Sequence, residues 1–306
     1  RVNVSIKNQW FGYAVRADVT PPDALGQRVS VQGQFSQSPW HKAGDLETWS
    51  GEVFADLPYV DLATLRPWVT MDRGLSLQEG RGVVRLWADV QHGLPVGVTA
   101  DVALDAVDVR LGADLQPLAL RHVHGRIGAQ KVGNDVEISS QDLVFDTQEG
   151  EHWPGGVLRV SWAGEALDSG TLQADRLDLD ALNQISQRLP MDEQWRSMLA
   201  RVQPQGQVNQ LKATWQKQEG ASLHYTVRGQ VRQLSLRRDT LSTSPLAALP
   251  GVQSAQLEFD FTQKSGKARV SIHQGSLTLP LGLEDPHLAL HEASAQLNWQ
   301  HKDDDV

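Results

Sequence analysis

Residues 96–104 read Val96-Gly97-Val98-Thr99-Ala100-Asp101-Val102-Ala103-Leu104, and after Asp105-Ala106 the run continues Val107-Asp108-Val109-Arg110-Leu111. Apolar residues fill every second position. Successive side chains of a strand point to opposite sides, so this spacing describes a β-strand with one buried face. At Asp105-Ala106 the apolar set moves from even to odd numbers. One extra residue does that, and the spacing predicts a bulge or tight bend.

The alternation recurs on both sides of this stretch. Val2, Val4 and Ile6 show it first, then Tyr13, Val15, Ala17 and Val19, then Val29, Val31, Gly33 and Phe35. Thr20-Pro21-Pro22-Asp23 breaks the pattern, since proline cannot donate to a ladder. The polar segment 36–48 reads as a loop. Gly133-Asn134 is a hairpin signal between two strand-like runs. Further strands are expected at Leu158–x–Val160–x–Trp162, at Leu223, Tyr225, Val227 and at Val231, Leu234, Leu236. The series closes with Leu257, Phe259, Phe261, then Ala268, Val270, Ile272, then Leu277, Leu279, Leu281, Leu283, and Ala293, Ala295, Leu297, Trp299.

A second motif occurs twice. One copy has Gly51, Val53, Ala55, Asp56, Val60, Asp61, Leu62 and Leu65; the other has Gly170, Leu172, Ala174, Asp175, Leu177, Asp178, Leu179 and Leu182. Alternation gives way to apolar residues three apart, which marks a strand running into a helix capped by Asp61 or Asp178, with Asp180 an equal candidate in the second copy. Helices are therefore expected near 61–68 and 179–202. In the second region Leu179, Leu182, Ile185 and Leu189 precede Pro190, and Asp192 can cap a helix whose apolar stripe is Trp195, Met198, Leu199 and Val202. Landmarks after each junction follow in the same order, such as Leu104, Val107, Val109 against Val231, Leu234, Leu236. The expected organisation is a module at 61–169, a second at 170–300 opening with the helical segment, a preceding module's tail at 1–60 and a polar tail at 301–306.

Composition bounds the function. Hydrophobic residues make 40% and charged residues 21% of the 306, which suits a folded chain with a sizeable core. A net charge of -9 argues against nucleic acid as a partner. With no cysteine there is no disulfide, thiolate site or cysteine nucleophile. No run of about 18 apolar residues exists to span a bilayer as a helix. His122 and His124 share a strand face but lack a third ligand, and Arg121 and Arg126 flank them. Asp175, Asp178 and Asp180 lack the turn glycine and terminal Glu of a calcium loop, and capping explains them. No nucleophile elbow, phosphate-binding glycine loop or dinucleotide fingerprint occurs. The expectation is a non-enzyme with no catalytic residues, no metal and no cofactor.

What remains is shape. About 20 strands at roughly 4.8 Å spacing would build a sheet on the order of 95 Å long, which must curl or split. The expected fold is mainly β: a long, curved, twisted antiparallel sheet forming a β-groove from repeated modules. One face would line a trough. Its candidate lining is Val96, Val98, Ala100, Val102, Leu104, Val107 and Val109, and then Leu257, Phe259, Phe261, Val270, Ile272, Leu277 and Leu279. The stripe Trp195, Met198, Leu199, Val202 either packs over the sheet or covers the trough as a lid. The ten Trp, notably Trp87, Trp162, Trp215 and Trp299, read as core and edge packing, with an apolar ligand surface as the alternative.

Several stretches resemble a known family. They are Tyr59-Val60-Asp61-Leu62 with Leu65, Arg66 and Trp68; residues 80–87; Pro117-Leu118-Ala119-Leu120 leading to Gly125; Trp153-Pro154-Gly155-Gly156; Leu177-Asp178-Leu179 with Leu182; and Pro250-Gly251-Val252. Together they resemble the YhdP group of the bacterial AsmA-like proteins. The resemblance implies an internal segment of a periplasmic lipid-transfer groove, part of an inner-membrane-anchored protein of a Gram-negative bacterium. The implied cargo is phospholipid, its acyl chains on the apolar trough, and both membranes would be reached through parts outside this segment. The competing readings are a structural or interaction β module with closed cores, and an enzyme acting on glycans or lipids.

Overall fold

The 96–109 run is the middle of a 17-residue strand, β6 (Leu94–Arg110), and the phase change inside it is a bulge at Ala106, whose φ is 49°. Alternation on both sides of a bulge belongs to one strand, so strands are longer and fewer than the sequence suggests. The computed structural model describes residues 1–9, 12–20, 27–38, 40–42, 45–65, 76–164, 168–217, 223–237, 250–279 and 287–300. Sixteen strands occur among them, against about 20 expected. The fold is mainly β, antiparallel throughout, and not closed into a barrel.

The chain divides into two units, Arg1–His152 and Trp153–Val306. The first carries β1 (Val2–Gln9), β2 (Gly12–Val19), β3 (Val29–Ser36), β4 (Ser50–Asp61), β5 (Ser76–Gln91), β6, β7 (Leu118–Val132) and β8 (Asp135–Thr147). Their order in the sheet is their order in the chain. Gly133-Asn134 is the two-residue turn expected, with Val132 opposite Asp135 and Gly133 at φ 65°. β9 (His152–Trp153) lies where one unit ends and the other begins.

The second unit carries β10 (Val157–Ala163), β11 (Ser169–Asp178), β12 (Gln205–Lys217), β13 (Leu223–Leu236), β14 (Gly251–Thr262), β15 (Ser265–Thr278) and β16 (His287–Gln300), again in chain order. Leu277 lies within β15, whereas Leu281 and Leu283 fall outside the described residues.

Both strand-to-helix junctions form. β4 runs into α1 (Leu62–Leu65), where Asp61 Oδ1 accepts from Ala63 N at 3.0 Å; residues 66–68 lie outside the described part. β11 runs into α2 (Leu179–Ile185), capped by Asp178 Oδ1 accepting from Ala181 N at 3.0 Å. Asp180, the other candidate cap, sits in the first turn and accepts from Gln184 instead. The 179–202 region is divided at Pro190, with a separate helix after Asp192, as the sequence predicts. A 3-10 turn (Ser186–Arg188) follows α2, and Leu189 is extended, as the residue before Pro190 must be. α3 (Glu193–Val202) then starts on Asp192, whose carboxylate accepts from Gln194 N at 2.7 Å.

Candidate functional site

Opposed residues of neighbouring strands share a side of the sheet, so the register sorts every side chain. In the second unit Leu177 stands opposite Val208, Val208 opposite Val231, Val231 opposite Leu257, and Leu257 opposite Val270. Nearer the far ends, Leu172 meets Ala213, Ala213 meets Val227, Val227 meets Phe261, and Ala268 meets Leu297. One side is thus apolar from β10 to β16. The other carries Arg159, Gln173, Lys212, Arg228, Asp260, Lys267 and Asn298, also in register.

The first unit repeats the division. Val4 lies opposite Ala17, Ala17 opposite Val31, Val31 opposite Ala55, Ala55 opposite Leu86, Leu86 opposite Ala100, and Ala100 opposite Ile127. Val98, Val102 and Leu104 stand opposite Ala129, Gly125 and Val123. Past the bulge, Val107 and Val109 stand opposite Leu120 and Leu118. Val96 is the extra residue of a second irregularity in β6, between Pro95 opposite Val90 and Gly97 opposite Asp89.

A line of bulges keeps these sides apolar. Ala106, Asp142, Gln210, Gln233 and Ser254 all have φ between 48° and 59°, and each precedes an apolar residue: Val107, Leu143, Leu211, Leu234 and Ala255. Each bulge re-aims the strand by one residue, so Val231 and Leu234 enter the same buried cluster with Val208, Val252, Ala255 and Ile272. Burial is deepest along this line. Ala255 is wholly buried, and Leu104, Val107, Leu118, Leu120 and Val123 are also buried. Away from it the apolar side opens: Val4, Ile6, Ile127, Ile138, Leu297 and Trp299 are exposed.

The candidate lining falls into two groups, one per unit. The β6 set from Val98 to Val109 shares one side of the first unit, with Ala100, Leu104 and Val107 buried and the rest half-buried; Val96, at the irregularity, is half-buried as well. Leu257, Phe259, Phe261, Val270, Ile272 and Leu277 share the apolar side of the second unit, where Ile272 is buried and the others half-buried. Leu279, just past β15, is half-buried as well.

The junction helices touch this side at the bulge line. A Cβ on Gly80, whose φ of 150° favours glycine, would meet Leu62 Cδ1 at 2.6 Å and Val107 Cγ2 at 3.2 Å, so α1 closes on the crease of the first unit. Leu179 of α2 packs against the Val208–Val231–Leu234 cluster of the second. The α3 stripe divides: Leu199 and Val202 are buried, Met198 is half-buried, and Trp195 is 61% exposed.

Sequence reasoning missed how the aromatic rings lie. Trp215, Phe259 and Trp299 fold over Gly170, Gly229 and Gly266 on adjacent strands, which shields glycine backbone and flattens the apolar side. Phe259 stacks on Phe261 at 5.1 Å, and Phe261 meets Trp299 at 5.0 Å. The signal was available as a glycine in the alternating series of each neighbouring strand. Trp87 differs from its fellows, for it stands opposite Thr99 on the polar side, against Phe54 at 5.3 Å and beneath Arg126 at 5.5 Å.

The polar side of the first unit is knitted by charge. Asp56, Arg85, Asp101 and Arg126 follow one another in register, with ion pairs of 3.5 Å (Arg85–Asp56) and 2.6 Å (Arg126–Asp101). The Arg126 hydrogen bond, reinforced by the nearby Arg85 charge, holds the Asp101 carboxyl below the usual carboxylate range. His122 bonds Asp105 at 2.5 Å, and no group of three or more metal-ligating residues gathers among the described residues. Asp175 accepts from Val157 N at 2.7 Å. In the second unit the polar side carries a shallow depression of about 730 Å³ bordered by Arg159, Gln173, Lys212, Arg228 and Gln230.

No helix among the described residues is long and apolar enough to cross a membrane. No curated protein and no solved structure matches the chain. A family model described as YhdP protein matches residues 1–306, the whole of it. An open antiparallel sheet, apolar on one side and polar on the other, agrees with the resemblance drawn from the junction motifs, and the chain belongs to the YhdP family.

Proposed function

We propose that this chain is a segment of a periplasmic lipid-transfer groove that carries phospholipid between inner and outer membranes and so serves outer-membrane lipid homeostasis. The observation that carries the reading is the apolar side that runs unbroken across the strands of each unit and is left open away from the bulge line. Among the described residues of each unit no second sheet covers it, as closed sandwich cores would require. An acyl chain laid there gains about 0.8 kcal/mol per buried CH₂. Val98 and Val102 in the first unit, and Leu257, Val270 and Leu277 in the second, are the contact residues of this reading. Membrane anchoring belongs to parts of the protein outside these residues, and each junction helix opens a module, at 61–169 and at 170–300. The groove performs no chemistry and needs no cofactor.

The test is photo-crosslinking from Val98 and from Leu279, with native mass spectrometry and lipid extraction of the same preparations. Phospholipid in the extract and adducts at both positions are expected. Folded protein that yields neither lipid nor adduct sinks the proposal and leaves a structural module.

A further inference from the structure

The two units arrange charge differently on their polar sides. In the first, Asp56–Arg85–Asp101–Arg126 alternates in sign and neutralises itself through two ion pairs. In the second, the row from β10 to β15 is Arg159, Gln173, Lys212, Arg228, Asp260, Lys267, four cations with one acid among them. Lys212 and Arg228 stand directly opposite each other, a like-charge pairing that destabilises a sheet. Among the described residues no carboxylate lies within 4 Å of either cation. Of the acids at the border of the depression, Asp175 accepts from Val157 N, Glu258 pairs with Arg269 at 3.5 Å, and Asp260 stands opposite both Arg228 and Lys267 in the register. All of this surrounds the 730 Å³ depression, in a chain whose net charge is -9.

We infer that the depression on the polar side of the second unit is an anion-binding site for a phosphorylated ligand. Lys212 and Arg228, one strand apart, converge on one phosphate, the guanidinium supplying a two-pronged donor and the ammonium a point charge. Gln173 stands opposite Lys212 and offers its amide to the same anion. The one aromatic residue at its border, Phe259, folds its ring over Gly229 on the apolar side, so recognition is by charge and hydrogen bonds rather than stacking. The site lies on the side opposite the apolar one and does not depend on what that side carries.

Tripolyphosphate and vesicles of phosphatidylglycerol in phosphatidylcholine are the probes, distinguishing a free phosphorylated ligand from a membrane headgroup. Tripolyphosphate titrated into the protein at low salt should bind, and Lys212→Ala/Arg228→Ala should weaken binding by at least about tenfold. Arg85→Ala, in the self-neutralised row of the first unit, should leave it unchanged. Binding to the anionic vesicles alone, lost in the same double variant, supports the site with a headgroup as its ligand. Thermal melts check folding, and relieving the opposed charges should not lower the midpoint. No binding to either probe, or binding that the double variant leaves intact, overturns the inference.

Discussion

Val231 and Leu234 are three residues apart on β13, yet they belong to one buried cluster, because Gln233 between them takes a left-handed backbone with φ 54°. Without that turn Leu234 would face the side of Arg232. The same device at Ala106, Asp142, Gln210 and Ser254 preserves the apolar side across both arms of each strand. Left-handed backbone costs a non-glycine residue about 1–2 kcal/mol. Gln233→Gly should therefore stabilise the protein by about 0.5–1 kcal/mol, and Gln233→Val should destabilise it by more than that. Urea unfolding measures both. A valine variant as stable as the parent would show that the bulge is not required.

Gly170 lies beneath Trp215 and close to the Ser161 carbonyl, which would stand 2.5 Å from an added Cβ. Backbone cannot retreat as a side chain can. Gly170→Ala should cost about 1–3 kcal/mol, read from thermal or urea melts. An unchanged midpoint would mean that the ring and strand move aside freely.

Leu297 is 54% exposed at the open end of the apolar side. If that side carries acyl chains, Leu297→Glu should reduce the lipid that copurifies while changing stability by no more than about 0.5 kcal/mol. Equal lipid content in the two proteins would count against contact there.

The divided stripe of α3 makes a sharp contrast. Leu199→Ala should cost about 2–4 kcal/mol, since Leu199 is buried. Trp195→Ala, at an exposed position, should leave the stability within about 0.5 kcal/mol of the parent's. Comparable losses would show that Trp195 is covered in solution.

Asp18 accepts hydrogen bonds from Arg16 at 3.0 Å and Ser30 at 2.9 Å, and pairs with Arg28 at 3.0 Å. The Arg16 bond first, then Ser30, lowers its carboxyl from 3.8 to about 2. A lowered folded value makes the carboxylate stabilising above the unfolded value of 3.8, and that contribution disappears as pH falls to about 2. Asp18→Asn should be less stable than the parent at about pH 7 and should lose less stability across that acid window. Urea melts above, within and below it provide the check, and parallel acid profiles would refute the assignment.

Alternation at 96–109, the hairpin at Gly133-Asn134 and the Asp-capped junctions were legible in the residues because each depends on neighbours in the chain. Even the bulge at Ala106 showed as a change of phase. Strand number was not legible, since an interrupted alternation looks alike whether a bulge or a turn interrupts it. Register lies further out of reach: it pairs residues far apart, and a slip of one exchanges the two sides. That is why only the folded chain could show Trp299 lying over Gly266, Trp87 on the polar side beneath Arg126, and Lys212 facing Arg228. The residues dictated that each strand has an apolar and a polar edge. The tertiary fold decided which strands join those edges into continuous surfaces, because cross-strand pairing is a long-range choice that local spacing cannot encode.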